Sequence, residues 1–476
     1  MKMERFEVKG LAQYSYVLSD AGEAVVIDPM RDIDGYLAYA HENGLRITHI
    51  METHIHADYA SGAVALAVAT GAELALSAYD EGERFSYQMP HRALHDGDAV
   101  SFGDVRLQAL HTPGHTPEHL AFLQFDLGRS KVEPVAMFSG DFLFVGSLGR
   151  PDLLGEQAKL GLARELYRSV QQRIAPLPDG LEIYPGHGAG SLCGAGMGEN
   201  PETTLGYERR TNPFFGYGEE EFVTKILASV PAMPDYYPRM KELNSVGAAA
   251  LDSLPQPKAL SPEALAAKLA DPNVMVLDLR RPEAFGGAHI AGAINIGSEG
   301  NLSLWAGWLL DAAKEIVLVN DSGDDEPARR SLLRVGLDRV VGYLDGGIAS
   351  WVAEGLEFAR TTQITVDELD AAVRTGDALV LDVRTDGEWA NGAIAGALHI
   401  PLGKLPGSLD QLEKERAIAV VCGSGYRSSI AASLLARKGF THLGSLSGGL
   451  AAWQRRHGEA AAPCSSGNRA AIAQEV

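Results

Sequence analysis

The second half of the chain repeats itself, and that repeat constrains the fold more than any other feature. Val276-Leu-Asp278-Leu-Arg280 recurs as Val380-Leu-Asp382-Val-Arg384. Gly292-Ala293-Ile294-Asn-Ile recurs as Gly396-Ala397-Leu398-His-Ile, and Gly346-Gly-Ile-Ala-Ser-Trp351 as Gly448-Gly-Leu-Ala-Ala-Trp453. A period of roughly 100 residues is too long for a solenoid unit and is the size of a small domain. Each copy alternates short apolar strands with helical segments, the pattern of a parallel sheet with helical crossovers. The copies are expected at 256–360 and 361–460, with a separate domain over 1–255 and a patternless tail over 461–476.

A chain of 476 residues accommodates about three domains, in agreement with that division. Its formal charge, 41 − 62 = −21, argues against nucleic acid or an anionic membrane as a partner. The three cysteines, Cys193, Cys422 and Cys464, are too dispersed for a disulfide framework and suit a reducing compartment. The charged N-terminus resembles no signal peptide, and no apolar run reaches membrane-spanning length. A cytoplasmic protein is the expectation.

In the first 255 residues, strands are expected at 12–18 and 24–27 around a turn, and a helix at 34–43 that stops at Asn43-Gly44. A β-branched strand (Ile47, Thr48, Ile50) then runs into His54-Ile-His56-Ala-Asp58-Tyr59, and a small-residue helix follows over 60–72. Alternate residues of an extended segment point the same way, so His54, His56 and Asp58 are expected to face one cavity. Further strands at 105–110, 135–138 and 181–184 end in His111-Thr-Pro-Gly-His115, Ser139-Gly140-Asp141 and Pro185-Gly186-His187. Four strands delivering such groups to one rim is the pattern of a layered α/β fold with its site at strand ends. The candidate ligands are therefore His54, His56, Asp58, His115, Asp141 and His187. Residues 214–256 read as a helix and a proline-marked connection, which puts the boundary near 255.

His-x-His-x-Asp, Gly-His-Thr, Ser-Gly-Asp and a late Gly-His together resemble the metallo-β-lactamase superfamily over about the first 240 residues. The resemblance implies an αββα sandwich ahead of the two α/β repeats. The usual binuclear motif reads His-x-His-x-Asp-His, whereas this chain has Tyr59 in the last place, and a neutral phenol is a poor substitute for imidazole. A mononuclear centre is favoured. Two histidines and one carboxylate match the facial arrangement of non-haem iron oxygenases, and the branch that looks like this is persulfide dioxygenase. That resemblance implies that His54, His115 and Asp141 hold one Fe(II) per chain, with His56, Asp58, His187 and Tyr59 around it. A zinc site of His54, His56 and His115 stays open. Gly149-Arg150-Pro151-Asp152 resembles a family stretch in which Arg150 either meets an anionic substrate tail or pairs with Asp152. His91, His95, His111 and His119 are read as ordinary histidines.

The second repeat contains Val420-Val421-Cys422-Gly-Ser-Gly-Tyr-Arg427, a cysteine leaving a strand into a glycine-rich loop before a helix. Outward-facing N–H groups there stabilise a thiolate and a bound anion. The stretch resembles the rhodanese active loop, which implies that Cys422 carries sulfane sulfur and Arg427 binds the anionic partner. The first repeat reads Asn320-Asp-Ser-Gly-Asp324-Asp325-Glu326 at that point, and no cysteine stands between 194 and 421. It is expected to be catalytically inactive. This domain order resembles persulfide dioxygenase–sulfurtransferase fusions. Such a fusion implies a small persulfide substrate, on glutathione or another thiol, with O₂ as oxidant, sulfite and thiosulfate as products, a role in sulfide detoxification, and a dimer or tetramer. A glyoxalase II-like thioester hydrolase and a non-catalytic sulfur carrier are the rival readings. Cys193 reads equally as an exchanging thiol or a buried side chain.

Overall fold

The computed structural model describes residues 1–458 apart from 250–253, 255, 322 and 324. The tail over 461–476 and the boundary residue 255 thus lie outside the described residues. Two compact units form: one runs from Met1 to Leu254 and takes in Arg330–Leu337, and the other holds the rest of the described chain. No helix among the described residues is long and apolar enough to cross a membrane.

Two mixed sheets form the first unit. Strands β1 (Lys2–Val8), β2 (Gln13–Asp20), β3 (Glu23–Ile27), β4 (Arg46–Met51), β5 (Glu73–Ser77) and β6 (Arg92–Leu94) lie in that order in one sheet. The chain continues through β7 (Ala99–Phe102), β8 (Val105–His111), β9 (Leu120–Asp126), β10 (Ala136–Gly140), the hairpin of β11 (Leu143–Phe144) and β12 (Ser147–Leu148), β13 (Glu182–Pro185) and β14 (Thr203–Thr204). The second sheet runs β14-β13-β10-β9-β8-β7. Alternation explains how the sheets meet. Val105, Leu107 and Ala109 of β8 and Leu120 and Phe122 of β9 join Tyr16, Leu18, Val25 and Ile27 of the first sheet in one core. The opposite faces of β9 and β10, through Ala121, Leu123, Phe125 and Met137, pack with Leu166 and Phe222 of the helices Lys159–Arg168 and Glu219–Ser229. On the first sheet's side, the helix Ala63–Thr70 lies against β4 and β5. The result is an αββα sandwich.

The second unit contains the two repeats, each a five-stranded parallel sheet. The first has the order β15 (Lys258–Leu260), β19 (Val340–Leu344), β18 (Glu315–Val319), β16 (Val274–Asp278), β17 (Ile294–Asn295). The second has β20 (Thr362–Ile364), β24 (Leu443–Leu446), β23 (Ile418–Val421), β21 (Leu379–Asp382), β22 (Leu398–His399), so the strand orders coincide one for one. Strands covered by helices on both faces read as continuous apolar runs, as Val317 and Val319 do in one core and Ala419 and Val421 in the other. The repeated Asp-x-Arg motif makes the same buried pair in each copy. Arg280 donates to Asp278 at 2.6 Å and to the Ala288 carbonyl at 2.8 Å. Arg384 donates to Asp382 and to the Gly392 carbonyl, both at 2.7 Å.

Candidate metal centre and cysteine loop

The histidine motif follows β4 as an irregular loop, not as a continued strand. Strand alternation therefore does not govern it, and its three donors go to different places. His54 joins His115 and Asp141 in one buried group whose ligand atoms lie within 4.8 Å of one another. Asp58 falls in a second group with His187 and Cys193. The ends of β8, β10 and β13 in one sheet and β4 in the other supply these residues, so the rim is shared by both sheets.

Hydrogen bonds fix which atoms of the first group are free. The Thr53 hydroxyl donates to Asp28 Oδ2 at 2.9 Å, so His54 Nδ1 donates to Thr53 Oγ1, also at 2.9 Å, and leaves Nε2 bare. His115 Nδ1 donates to the Arg150 carbonyl at 2.9 Å, which leaves its Nε2 bare as well. These two nitrogens stand 3.9 Å and 3.5 Å from Asp141 Oδ2. Neither His115 Nε2 nor Asp141 Oδ2 has a hydrogen-bond partner, although both are buried. Orphaned buried lone pairs converging on one point are what a cation would satisfy. Burial first, and then the neighbouring histidines, hold the His54 and His115 imidazoles well below their ordinary pKa, in the neutral form a metal requires. The donor set fits a divalent metal.

Asp141 Oδ1 is occupied. His187 donates from Nδ1 to it at 2.7 Å and from Nε2 to Asp58 Oδ2 at 2.8 Å. Burial opposes the His187 charge, but Asp141 and Asp58 outweigh it and raise its pKa well above the ordinary value. His56 turns its Nε2 to Asp28 Oδ1 at 3.0 Å and leaves Nδ1 buried without a partner. Tyr59 packs its ring 4.5 Å from that of His56 and donates its hydroxyl to the Asp28 carbonyl at 3.3 Å. The Arg150 guanidinium is spent internally. It grips Asp152 through Nε at 2.7 Å and Nη2 at 2.8 Å, and it also donates to the Leu192 and Pro231 carbonyls. Of the two sequence readings of Arg150, the salt bridge is the one formed.

Four supporting residues were not anticipated. Asp28 holds a left-handed backbone conformation, φ +53°, directly after β3, where its carboxylate receives Thr53 and His56. An aspartate between a strand and Pro29 is the only signal that marks it. His119 stacks on His54 at 5.2 Å, donates to Thr112 and accepts the Asp141 N–H at 3.2 Å. Close packing there requires Gly140, at φ +50°, since a Cβ would lie 2.6 Å from Thr53 and 2.7 Å from His119. On the helix Tyr237–Val246, Lys241 donates to the Ile55 carbonyl at 2.7 Å. Asn244 one turn on donates to the His56 and Tyr59 carbonyls and accepts from Ser61 N–H. Nearly 200 residues separate these partners, and no local pattern links them.

In the second repeat, Cys422 is fully buried and its sulfur accepts the Gly425 N–H at 3.1 Å, with Ser428 Oγ 3.6 Å away. The helix Gly449–His457 holds the loop from below: Leu450 and Ala451 N–H groups donate to the Cys422 and Gly423 carbonyls at 2.7 and 3.1 Å. Gly449 makes this approach possible, because a Cβ would lie 2.5 Å from the Cys422 carbonyl oxygen. Arg427 forms a two-pronged pair with Glu388, both contacts at 2.6 Å. Burial opposes the Glu388 charge, yet Arg427 and the Thr385 N–H bring its pKa down to about 2. In the first repeat the same strand end carries Asn320 and Asp321, and no thiol.

Known proteins align with both units. Residues 8–187 match the metallo-beta-lactamase superfamily, and residues 261–354 and 365–456 each match the rhodanese-like domain. The persulfide dioxygenase ETHE1 of Bos taurus is 32% identical over 226 residues, covering 46% of this chain and 78% of that protein. A hydroxyacylglutathione hydrolase of a Polaromonas species is 30% identical over 247 residues, covering 47% and 88%. The crystal structure of a metallo-beta-lactamase from Staphylococcus aureus superimposes with a TM-score of 0.66 at 37% identity, over 72% of this chain and 98% of that one.

Proposed function

This chain belongs to the metallo-beta-lactamase superfamily and carries two rhodanese-like domains behind its first unit, and on that footing we propose that it oxidises a low-molecular-weight persulfide and transfers sulfane sulfur. The overall oxidation is R–S–SH + O₂ + H₂O → R–SH + SO₃²⁻ + 2H⁺. The second domain's step is Cys–S–SH + SO₃²⁻ → Cys–SH + S₂O₃²⁻, after Cys422 has taken its outer sulfur from a further persulfide and released the thiol. Such a pair of reactions removes sulfide as thiosulfate, in the cytoplasm.

The observation that carries the reading is the group of His54 Nε2, His115 Nε2 and Asp141 Oδ2, two neutral imidazoles and one carboxylate, in which His115 Nε2 and Asp141 Oδ2 are buried without a hydrogen-bond partner. These atoms would hold the metal. Ferrous iron in such a set supplies the redox chemistry by which O₂ and a bound sulfur react. The chain's own contribution is orientation. Thr53 and the Arg150 carbonyl fix the two imidazole tautomers, His119 braces His54, and His187 keeps the second oxygen of Asp141 engaged. Tyr59, with its hydroxyl turned to Asp28, offers no ligand for a second iron of the usual kind.

In the transferase domain the Cys422 sulfur receives the Gly425 N–H, so negative charge on it meets a donor already in place. Arg427 stands at the loop with Glu388 as its counterion, and we assign it to the approach of the sulfite dianion.

Metal analysis of anaerobically purified protein together with O₂ uptake on glutathione persulfide tests the reading. About one iron per chain with rapid uptake is the expected result. Two zinc ions per chain, no uptake and hydrolysis of a glutathione thioester would return the protein to the hydrolases among its relatives.

A further inference from the structure

The first unit includes a segment that the sequence places in the first repeat. This is Arg330–Leu337, the end of the helix Glu326–Leu333 and the turn after it. The helix follows the strand end that carries Asn320, so it matches the helix Tyr426–Arg437 behind Cys422. Both helices end in the same cap. Gly336 and Gly439, at φ +66° and +90°, donate their N–H groups to the Leu333 and Ala436 carbonyls, and Leu337 and Phe440 donate to the Leu332 and Leu435 carbonyls. Counted back from the cap glycines, Arg330 and Arg334 stand where the second repeat has Ser433 and Arg437. Those two residues bond to Asn295 and Gly292 of the neighbouring repeat. In the first repeat the same two positions serve the metal-binding unit instead.

Arg334 takes Asp32 in a two-pronged pair, Nε to Oδ1 at 2.7 Å and Nη2 to Oδ2 at 2.6 Å, and the Asp32 side chain is only 7% exposed. Arg330 donates to both oxygens of Asp34 at 2.7 Å and reaches Asp32 at 3.3 Å. The last carbonyls of a helix have no partner within it. Here they find partners in the first unit. The Arg334 carbonyl accepts the Ala60 N–H at 2.7 Å, and Arg239 donates to the Val335 and Gly336 carbonyls at 3.0 and 3.3 Å. A cation at that position also suits the negative end of the helix dipole. Ala60 directly follows Tyr59, and Arg239 lies on the helix that carries Lys241 and Asn244.

What the segment grips bears on the metal centre. Asp32 and Asp34 belong to the stretch that begins at Asp28, whose carboxylate fixes Thr53 and through it the His54 tautomer. That stretch is zipped to the histidine loop: the Pro29 carbonyl accepts the Gly62 N–H at 2.9 Å, and Met30 bridges to Ser61. Gly62 is required there, because a Cβ would lie 1.9 Å from the Met30 carbonyl oxygen. One segment thus holds two loops of the centre together. We propose that Arg330–Leu337 is a positioning element of the metal centre, with Arg334 as its main anchor, so that the thiol-free repeat is needed for tight metal binding. The proposal rests on the assignment of a metal to His54, His115 and Asp141, and it stands whether or not the protein oxidises persulfides.

Anaerobic cobalt(II) binding to the metal-free full chain, in competition with a chelator, tests it at a temperature where circular dichroism shows every variant folded. About one cobalt ion per chain is expected for the wild type. Loss of an outer partner of a metal ligand costs roughly 10–100-fold in affinity, and Arg334→Met, one step further out, is expected near the tenfold end. Arg334→Lys keeps a cation beside Asp32 and should recover part of that loss. Asp32→Asn should weaken cobalt likewise, and combining it with Arg334→Met should add little, because both remove the same contact. Wild-type affinity in Arg334→Met overturns the proposal, and so do losses that simply add in the double variant. If Arg334→Met does not fold, Arg330→Met at the more exposed Asp34 pair decides: weaker cobalt binding supports the proposal and unchanged binding overturns it. A wild-type chain that binds no cobalt refutes the metal assignment itself, and this inference with it.

Discussion

Tyr426, inside the cysteine loop of the second repeat, donates its hydroxyl to the main-chain carbonyl of Gly297 in the first repeat, at 2.9 Å. The contact begins a row. Ser429 donates to Asn295 Oδ1 at 2.6 Å, the Asn295 N–H donates to Ser433 Oγ at 3.1 Å, and Arg437 donates to the Gly292 carbonyl at 3.1 Å. Residues 426, 429, 433 and 437 are spaced by three and four and occupy one face of the helix Tyr426–Arg437. The thiol-free repeat thus grips the helix that begins at the reactive loop. That contact gives the first repeat a physical task, positioning its neighbour's helix.

Tyr426→Phe tests this grip by removing one hydroxyl and keeping the ring. A net hydrogen bond contributes about 1 kcal/mol, so sulfur transfer to cyanide or sulfite is expected to fall roughly fivefold if the bond acts on loop geometry. O₂ uptake is expected to stay unchanged. Gly300→Ala should be worse, because its Cβ would lie 2.4 Å from the Tyr426 ring. Transfer rates in both variants equal to wild type would show that the grip has no bearing on the loop.

Glu388 supplies a pH dependence of known sign. Its carboxyl is held down to about 2 from an ordinary 4.5, with Arg427 and the Thr385 N–H outweighing burial. A depressed carboxylate stabilises the fold above its unfolded pKa and loses that contribution as pH falls toward the folded value. The rhodanese-like unit should therefore lose stability between roughly pH 4.5 and 2, and Glu388→Gln should flatten that part of the curve. Urea midpoints measured across this window, with unfolding followed in both proteins, provide the check.

Asn244 closes the histidine loop from the far side of the first unit. It satisfies three main-chain groups at once, on His56, Tyr59 and Ser61, and it is 2% exposed. Asn244→Ala leaves them buried and unpaired at a cost of about 1–3 kcal/mol each where water cannot replace the amide. A fall in melting temperature is expected together with weaker metal retention on dialysis, roughly tenfold or more. Asn244→Asp should recover only the Ser61 contact. Calorimetry and metal content on the same samples separate a general loss of stability from a local one.

The sequence made some of this legible and concealed the rest for physical reasons. The repeat was readable because its motifs sit where residue type matters, Asp278-x-Arg280 and Asp382-x-Arg384 as buried pairs at strand ends and Gly346-Gly347 and Gly448-Gly449 at positive φ before a helix, and the two sheets share one strand order. Strand β9 gave no signal: Leu120 and Phe122 face one core and Ala121 and Leu123 the other, so no polar face alternates with an apolar one. The edge strand β1 reads Lys-Met-Glu-Arg-Phe-Glu-Val, with a single fully buried residue, and passes for a charged terminus. His54, His115 and Asp141 stood out as types that bind metal, but their free atoms are decided by Thr53, Arg150 and Asp28, whose roles exist only once the sheets meet. Cys193 shows the same limit. Its distance from Asp58 in the chain hides a proximity that the fold creates.

Cys422→Ser distinguishes the two chemistries most directly. The serine hydroxyl cannot carry sulfane sulfur, so the transfer step is lost outright, whereas the His54–His115–Asp141 group belongs to the other unit and keeps every donor. With a small persulfide and O₂, the variant is expected to consume oxygen at the wild-type rate and to accumulate sulfite where the wild type yields thiosulfate. Sulfur speciation by chromatography, run beside an oxygen electrode, reads both quantities in one reaction. Adding the variant to wild-type protein should restore thiosulfate if sulfite leaves one site freely and reaches a second chain. Thiosulfate formation by the Cys422→Ser protein alone would place sulfur transfer on a different group and refute the assignment of the cysteine loop.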